Sequence, residues 1–221
     1  MKIIARIHNA FDEKFGVPRQ SGLAEEVESV IVFEEEYRAE EALRGIEEFS
    51  HLWLIWAFDR AEREKWSPTV RPPRLGGNQR VGVFATRSPF RPNAIGLSCV
   101  RLLGLKKTRE GTVLRVAGAD LMNGTPIYDI KPYLPYADCK PDATGGFTDR
   151  TEKRTVEVVL SEEAEKRLSL EEKKALEAVL KEDPRPAYQE DPERIYTFGF
   201  AGKQISFQVN AGVLTVTAVR T

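Results

Sequence analysis

At 221 residues and 41% hydrophobic composition, the chain fits one large domain, or one domain with a small appendage, and has enough apolar mass for a core. No run of ~18 apolar residues exists, so no membrane span is expected, and the N-terminal stretch MKIIARIHNAFDEKFG lacks the apolar heart of a secretion signal. The two cysteines form no CxxC pair and there are two histidines, so no metal is expected, and both thiols read as reduced thiols of a cytoplasmic protein.

The net charge of -1 hides segregation. Residues 60–115 hold 13 Lys and Arg against 3 acids, a net of +10; residues 24–48 hold ten Glu against two Arg, a net of -8. A basic middle with acidic flanks suggests a polyanionic partner on one face, unless the two signs mix at the surface once the chain folds.

In chain order, residues 2–8 and 28–33 read as strands, and 38–46 as a short helix with Ala42, Leu43 and Ile46 at helical spacing. The run HLWLIWAFD at 51–59 is short and aromatic, which favours a buried strand. Further strands are expected at 80–85, 95–105, 111–119 and 154–160, then one or two helices over 162–181 meeting near 168–170. Residues 194–201, 203–210 and 213–219 read as a three-stranded meander with turns at AGK and NAG. Many strands and few long helices argue against alternating βαβ units. β structure dominates to about residue 150, and a small α+β unit follows.

Standard motifs fail. There is no GxGxxG and no GxxxxGK[ST], and His8 and His51 support no compelling Ser-His-Asp order. What remains is a set of stiff polar loops: KFGVPRQSG (14–22), WSPTVRPPRLGGN (66–78), ATRSPFRPNAIG (85–96), GADLMNGTPIYDIKPY (118–133) and EDPRPAYQE (182–190). Together they look like a site assembled from loop ends on a rigid scaffold. Within 85–96, Arg87 and Arg91 sit between Pro89, Pro92 and the more pliant Gly96, which suits preorganised guanidinium groups facing something anionic.

The stretches FSHLWLIWAFD, TVRPPRLGGNQRVGVFATRSPFRPNAIGLS, GADLMNGTPIYDIKPYLPYAD and DPRPAYQ resemble the TrmO family (also called TsaA-like or VirR-like) over nearly the whole chain. The resemblance implies S-adenosylmethionine-dependent tRNA methylation at N6 of threonylcarbamoyl-adenosine beside the anticodon. It also implies a mainly β fold, a single-sheet β-barrel unlike the Rossmann methyltransferases, over residues 1–150. A small α+β C-terminal domain, 151–221, would carry the DPRPAYQ loop. A homodimer with cofactor sites near the interface is implied too. By resemblance the cofactor meets Pro18, Arg19, Gln20, Asp59, Arg60, Arg87 and Leu97, together with Asp120, Leu121, Gly124 and Thr125. The family commonly has an amide at the position of Arg60, and a Ser/Thr-Pro before the first loop where Ile7 to Phe11 stand here.

On the acceptor side, removing the N6 proton, or in-line positioning alone, would aid transfer. Asp129 and Asp183, and less readily His51, are candidate bases; Tyr188 and Tyr133 could orient the nucleobase. Arg185 or Arg91 could pair with the threonyl carboxylate, and Lys131 adds a further cation. Arg71 and Arg74 of RPPR lead the candidate tRNA contacts, with Arg63, Lys65, Arg80, Lys106 and Lys107 as the remaining pool. Two rivals are a non-catalytic RNA-binding barrel, which would bind no methionine-derived ligand, and a hydrolase, for which the chain offers no metal cluster or nucleophile–base pair.

Overall fold

The computed structural model describes residues 1–60, 65–151, 154–185 and 191–221. Arg63, Tyr188 and residues 186–190 of the last loop lie outside the described residues. The strands are β1 (Ala5–His8), β2 (Glu28–Phe33), β3 (His51–Ala57), β4 (Thr69–Val70), β5 (Val81–Gly82), β6 (Ile95–Thr108), β7 (Gly111–Ala117) and β8 (Pro126–Pro132). A single helical turn, α1 (Pro135–Asp138), follows, then β9 (Glu157–Leu160), α2 (Glu162–Lys166), α3 (Leu170–Lys181), β10 (Tyr196–Phe200), β11 (Lys203–Asn210) and β12 (Val213–Arg220).

Six strands pair in the order β1-β2-β7-β6-β3-β8, and β8 returns to β1 with Ala5 opposite Ile127, so the sheet closes into a barrel. Burial along β2 alternates with period two, the mark of a strand with one face inward. The inward set, including Ile7, Ile31, Leu52, Leu54, Leu114 and Ile127, forms the barrel core. A second core lies under a four-stranded sheet, β10-β11-β12-β9, in which β9 runs parallel to β12. Helix α3 buries Leu176, Val179 and Leu180 there. Its start is set by a capping box: Ser169 Oγ accepts from the Glu172 amide while the Glu172 carboxylate accepts from the Ser169 amide.

The loop between β1 and β2 joins the two cores. Phe11, Ala24 and Val27 belong to the second core, not the barrel's. Phe15 stacks on Phe207 at 6.3 Å and meets Phe198 edge-on at 6.0 Å. Gly16 takes φ +93°, and a Cβ there would fall 2.5 Å from the Phe198 ring, so both backbone and space demand glycine. The Ala201 amide donates to the Ala10 carbonyl at 3.0 Å, and the Gly199 amide to Glu13 Oε1. Sequence stretches read as barrel loop are therefore built into the C-terminal sheet.

Four features differ from the sequence reading. Residues 38–46 form no α-helix; short 3-10 turns at 35–37, 40–43 and 46–48 replace it, interrupted by left-handed Gly45. So short a helix lacks the length to hold itself, and none of the three turns buries a residue. In 80–85 only Val81 and Gly82 pair as strand before the chain coils through a 3-10 turn at 83–85. The polar loop read over 118–133 ends in strand β8, whose prolines stand at its two termini, where lost donors are tolerated. Finally, β9 adds a parallel edge to the expected meander.

Candidate functional site

Residues 18–22 are the meeting point of the stiff loops. Pro18 is buried and fixes the backbone. Arg19 Nη2 donates to the Asp183 and Arg185 carbonyls at 3.2 and 2.9 Å. Gln20 Oε1 accepts from Arg87 Nη1 at 2.5 Å, across 67 residues of sequence. Ser21 Oγ accepts from the Cys99 amide at 3.1 Å, and the Gly22 amide donates to the Gly118 carbonyl at 2.8 Å. Four of the five loops thus meet at this one stretch, joined through Arg19, Gln20 and Gly22.

Behind this junction lies a buried polar chain. Ser98, fully buried on the inward side of β6, donates to Asp120 Oδ1 at 2.5 Å and accepts from Trp56 Nε1 at 2.9 Å. Burial pushes the Asp120 carboxyl up; the Ser98 hydrogen bond, the nearby Arg87 charge and the Ser21 backbone act in the opposite direction. Gly96 has a steric role: it pairs with Trp56 across the ladder, and a Cβ would lie 2.1 Å from the indole. The absent side chain lets the ring lie flat and aim its N–H at Ser98.

The 120–125 segment is held by the first loop. The Thr125 amide donates to Met122 O at 3.1 Å, closing a turn with Gly124 at φ +81°. Asn9 Nδ2 reaches Leu121 O, and Asn123 Nδ2 reaches Asp12 Oδ1. Leu121 and Thr125 are buried, so their side chains support the turn. Arg60 follows β3 and donates to Asp12 O at 3.2 Å and Asn123 O at 3.0 Å, so its guanidinium clamps two backbones where the family commonly has an amide. Asp59 beside it is exposed.

The remaining expected residues fall elsewhere. Leu97, Ile55 and Asp129 form one row across β6, β3 and β8, on the face opposite Ser98, and Leu97 is 50% exposed. Asp129 pairs with Lys131 at 2.9 Å, so a candidate base and a candidate substrate cation satisfy each other. Tyr133 packs against Trp53 at 5.8 Å and edge-on against His51 at 6.2 Å. Partial burial, with the Cys139 and Cys99 thiols near it, raises the Tyr133 hydroxyl. Asp183 takes φ +45° and is gripped by Arg185 through two bonds of 2.8 and 2.9 Å. Arg91 turns inward and donates to the Val83 and Thr86 carbonyls at 3.2 and 2.7 Å, fixing its own loop. Arg71 and Arg74 are exposed. Sequence reasoning missed Ser98, Trp56 and Ser21; the signal available for the first was a serine at an inward position of an otherwise apolar strand.

Among the described residues no group of His, Cys, Asp and Glu could hold a metal, and no helix is long and apolar enough to cross a membrane. A separate cleft of about 500 Å3 lies between residues 75–85 and 145–151, lined in part by Gln79, Val81, Phe147 and Arg150.

A closed barrel with a second sheet locked to it by one shared loop, and a polar junction at that loop, places the chain in a known class. The model of the tRNA-methyltransferase O N-terminal domain matches residues 6–139, and that of the TrmO C-terminal domain matches residues 153–221; the chain belongs to the TrmO family. It is 42% identical over 201 residues to the tRNA (adenine(37)-N6)-methyltransferase of Escherichia coli K12, covering 88% of this chain and 86% of that one. A Pseudomonas aeruginosa relative, named as a candidate S-adenosylmethionine-dependent methyltransferase, is 43% identical over 201 residues, 87% of this chain and 85% of its own. A crystal structure of TrmO superposes with TM-score 0.81 at 33% identity, covering 99% of this chain and 97% of that one.

Proposed function

We propose that the protein is a tRNA (adenine-N6)-methyltransferase that moves a methyl group from S-adenosylmethionine to N6 of threonylcarbamoyl-adenosine next to the anticodon, working in the cytoplasm. The observation that carries this reading is the junction at residues 18–22, where Gln20 meets Arg87 and Ser21 lies beside Asp120. It joins the family membership and the names of the relatives. The donor's methionine moiety has a carboxylate and an ammonium, and its ribose has hydroxyls. Arg87 offers a cation and Asp120 and Gln20 offer acceptors within one cluster, so the residues present fit that group. In this reading Arg87 holds the carboxylate, Asp120 and Gln20 take the ammonium or ribose hydroxyls, and the 121–125 turn and Pro18 shape the wall. Asp59 offers a further exposed acceptor, and half-exposed Leu97 offers apolar surface on the outer face of β6.

When bound, S-adenosylmethionine supplies an activated methyl group. The chain's own work is to position the acceptor nitrogen and to relieve it of its proton. Asp129 is the base we assign, with Lys131 holding its carboxylate at 2.9 Å and the Ile130 amide donating to it at 2.9 Å. Asp183 and Arg185 form the alternative pair, Arg185 standing ready to trade its carboxylate for the substrate's. Tyr133 would orient the nucleobase, and Arg71 and Arg74 would meet phosphates. We assign residues 1–150 to the cofactor-binding barrel and 151–221 to the C-terminal domain, in a homodimer whose cofactor sites lie near the interface.

Titration calorimetry with S-adenosylmethionine and S-adenosylhomocysteine tests the donor. Methyl transfer to tRNA with and without the threonylcarbamoyl group tests the acceptor. Saturable binding with transfer only to the carbamoylated tRNA is expected. A folded protein that binds neither ligand, with or without tRNA, overturns the proposal.

A further inference from the structure

Residues 65–94 connect β3 to β6 and are built on the two-pair β4–β5 ladder. Trp66 and Phe84 flank that ladder, their rings 6.2 Å apart with 23° between planes. They are 49% and 75% exposed. Two large aromatic rings stacked on each other yet open to water are an exposed apolar patch that calls for a partner. The backbone under them is fixed: the Val83 amide donates to Pro68 O at 3.0 Å, the Ser67 amide to Phe90 O at 3.1 Å, and Arg91 ties Val83 to Thr86. The segment that bears the pair carries Lys65, Arg71, Arg74 and Arg80 at exposed positions and no Asp or Glu. Open π faces among cations match a ligand made of flat bases on an anionic backbone. The same patch on a second copy would bring like charge, whereas an RNA backbone brings the opposite charge.

We propose that Trp66 and Phe84 form a stacking platform for an unpaired base of the RNA substrate, with the neighbouring arginines meeting the flanking phosphates. The inference rests on the tRNA reading above and names the subsite at which unpaired RNA is held. Phe84 is three residues along the chain from Arg87, so the platform and the proposed donor site are carried by one connection between β3 and β6.

The test is fluorescence anisotropy of a labelled anticodon stem-loop RNA against the full chain, Trp66→Ala, Phe84→Ala and the double variant, with Trp66→Phe and Phe84→Tyr as conservative controls. Each alanine should weaken binding by about 5- to 150-fold, equivalent to ~1–3 kcal/mol per stacked base. The controls should bind as the parent does, and affinity for S-adenosylhomocysteine and the melting temperature should not change. Parent protein that binds the RNA while the double variant binds within twofold of it overturns the platform and leaves the tRNA reading standing. Parent protein that binds no RNA overturns both. A double variant that sediments as a smaller species than the parent assigns the pair to a contact between copies and overturns the platform.

Discussion

Two stretches of this chain are almost equally basic in sequence and opposite in structure. The β6–β7 hairpin carries Arg101, Lys106, Lys107, Arg109 and Arg115, and the barrel's closure sets three of these against the acidic segment. Arg115 grips Glu28 at 2.5 and 2.8 Å, Lys107 meets Glu40 at 3.0 Å, and Arg101 meets Glu25 at 3.5 Å. The Arg115 hydrogen bond holds the Glu28 carboxyl below its ordinary range, and that of Lys107 does the same for Glu40. The arm at 65–94 has no acid of its own, and its Arg71, Arg74 and Arg80 are exposed. A run of positive charge in sequence therefore marks a candidate polyanion surface only where folding brings no carboxylates to it; here one basic stretch is paired within the barrel and the other keeps exposed arginines.

The largest effect should come from stripping the arm. Replacing Arg71, Arg74 and Arg80 together by Gln should flatten the log–log salt dependence of tRNA binding by about 2, at ~0.7 per phosphate contact on a single strand. The same treatment of Arg101, Lys107 and Arg115 should leave the slope alone, and equal losses in the two variants would break the contrast. Next in size, Arg87→Ala should weaken S-adenosylmethionine binding by roughly 10- to 100-fold in calorimetry, the scale of a hydrogen bond to a charged group. Its melting temperature should stay put, because the side chain is exposed.

A third variant sharpens the assignment of Asp120. Its carboxyl is raised in the fold, so the ionised form is held at a cost that is full above the folded pKa and fades as pH falls towards the ordinary value of 3.8. Asp120→Asn should therefore bind the cofactor more weakly, yet melt higher than the parent at pH 7, with the gap closing in acid. A variant that melts lower at every pH would show that the carboxylate is structural. The smallest effect belongs to Arg115→Gln. Glu28 is lowered in the fold, so its pairing stabilises above the ordinary 4.5 and is lost as pH falls through the lowered value. Because the pair is about two-fifths exposed, the fall in melting temperature at pH 7 should be slight, and it should vanish in acid.

Much of the scaffold was legible because it follows local periodicity. The strand at 28–33 alternates as strands do, the run at 51–57 is short and aromatic, and 162–181 reads as helix. Strand β8 was hidden because its prolines and Asp129 read as loop, and only pairing with β3 and β1 on its two sides makes it a strand. The stiff loops were recognisable by composition, which is a local property. Their partners were not: nothing near Gln20 names Arg87, and nothing near Arg91 says that it turns inward to its own loop's carbonyls. The Trp66–Phe84 stack was equally invisible, since a two-pair ladder brings together rings that the chain keeps eighteen residues apart.

The sequence by itself determined most of the strands, the helical stretch at 162–181, the absence of the common nucleotide motifs, the cluster of stiff loops and, through long ordered motifs, the family. Each of these depends on residues close to one another along the chain. The tertiary structure alone decided that the first loop completes the C-terminal core, that Ser98 and Trp56 stand behind Asp120, and which basic residues are neutralised. Those outcomes depend on barrel closure, which sets distant residues side by side, and on burial, which turns an ordinary carboxylate into one whose charge must be supported by its neighbours.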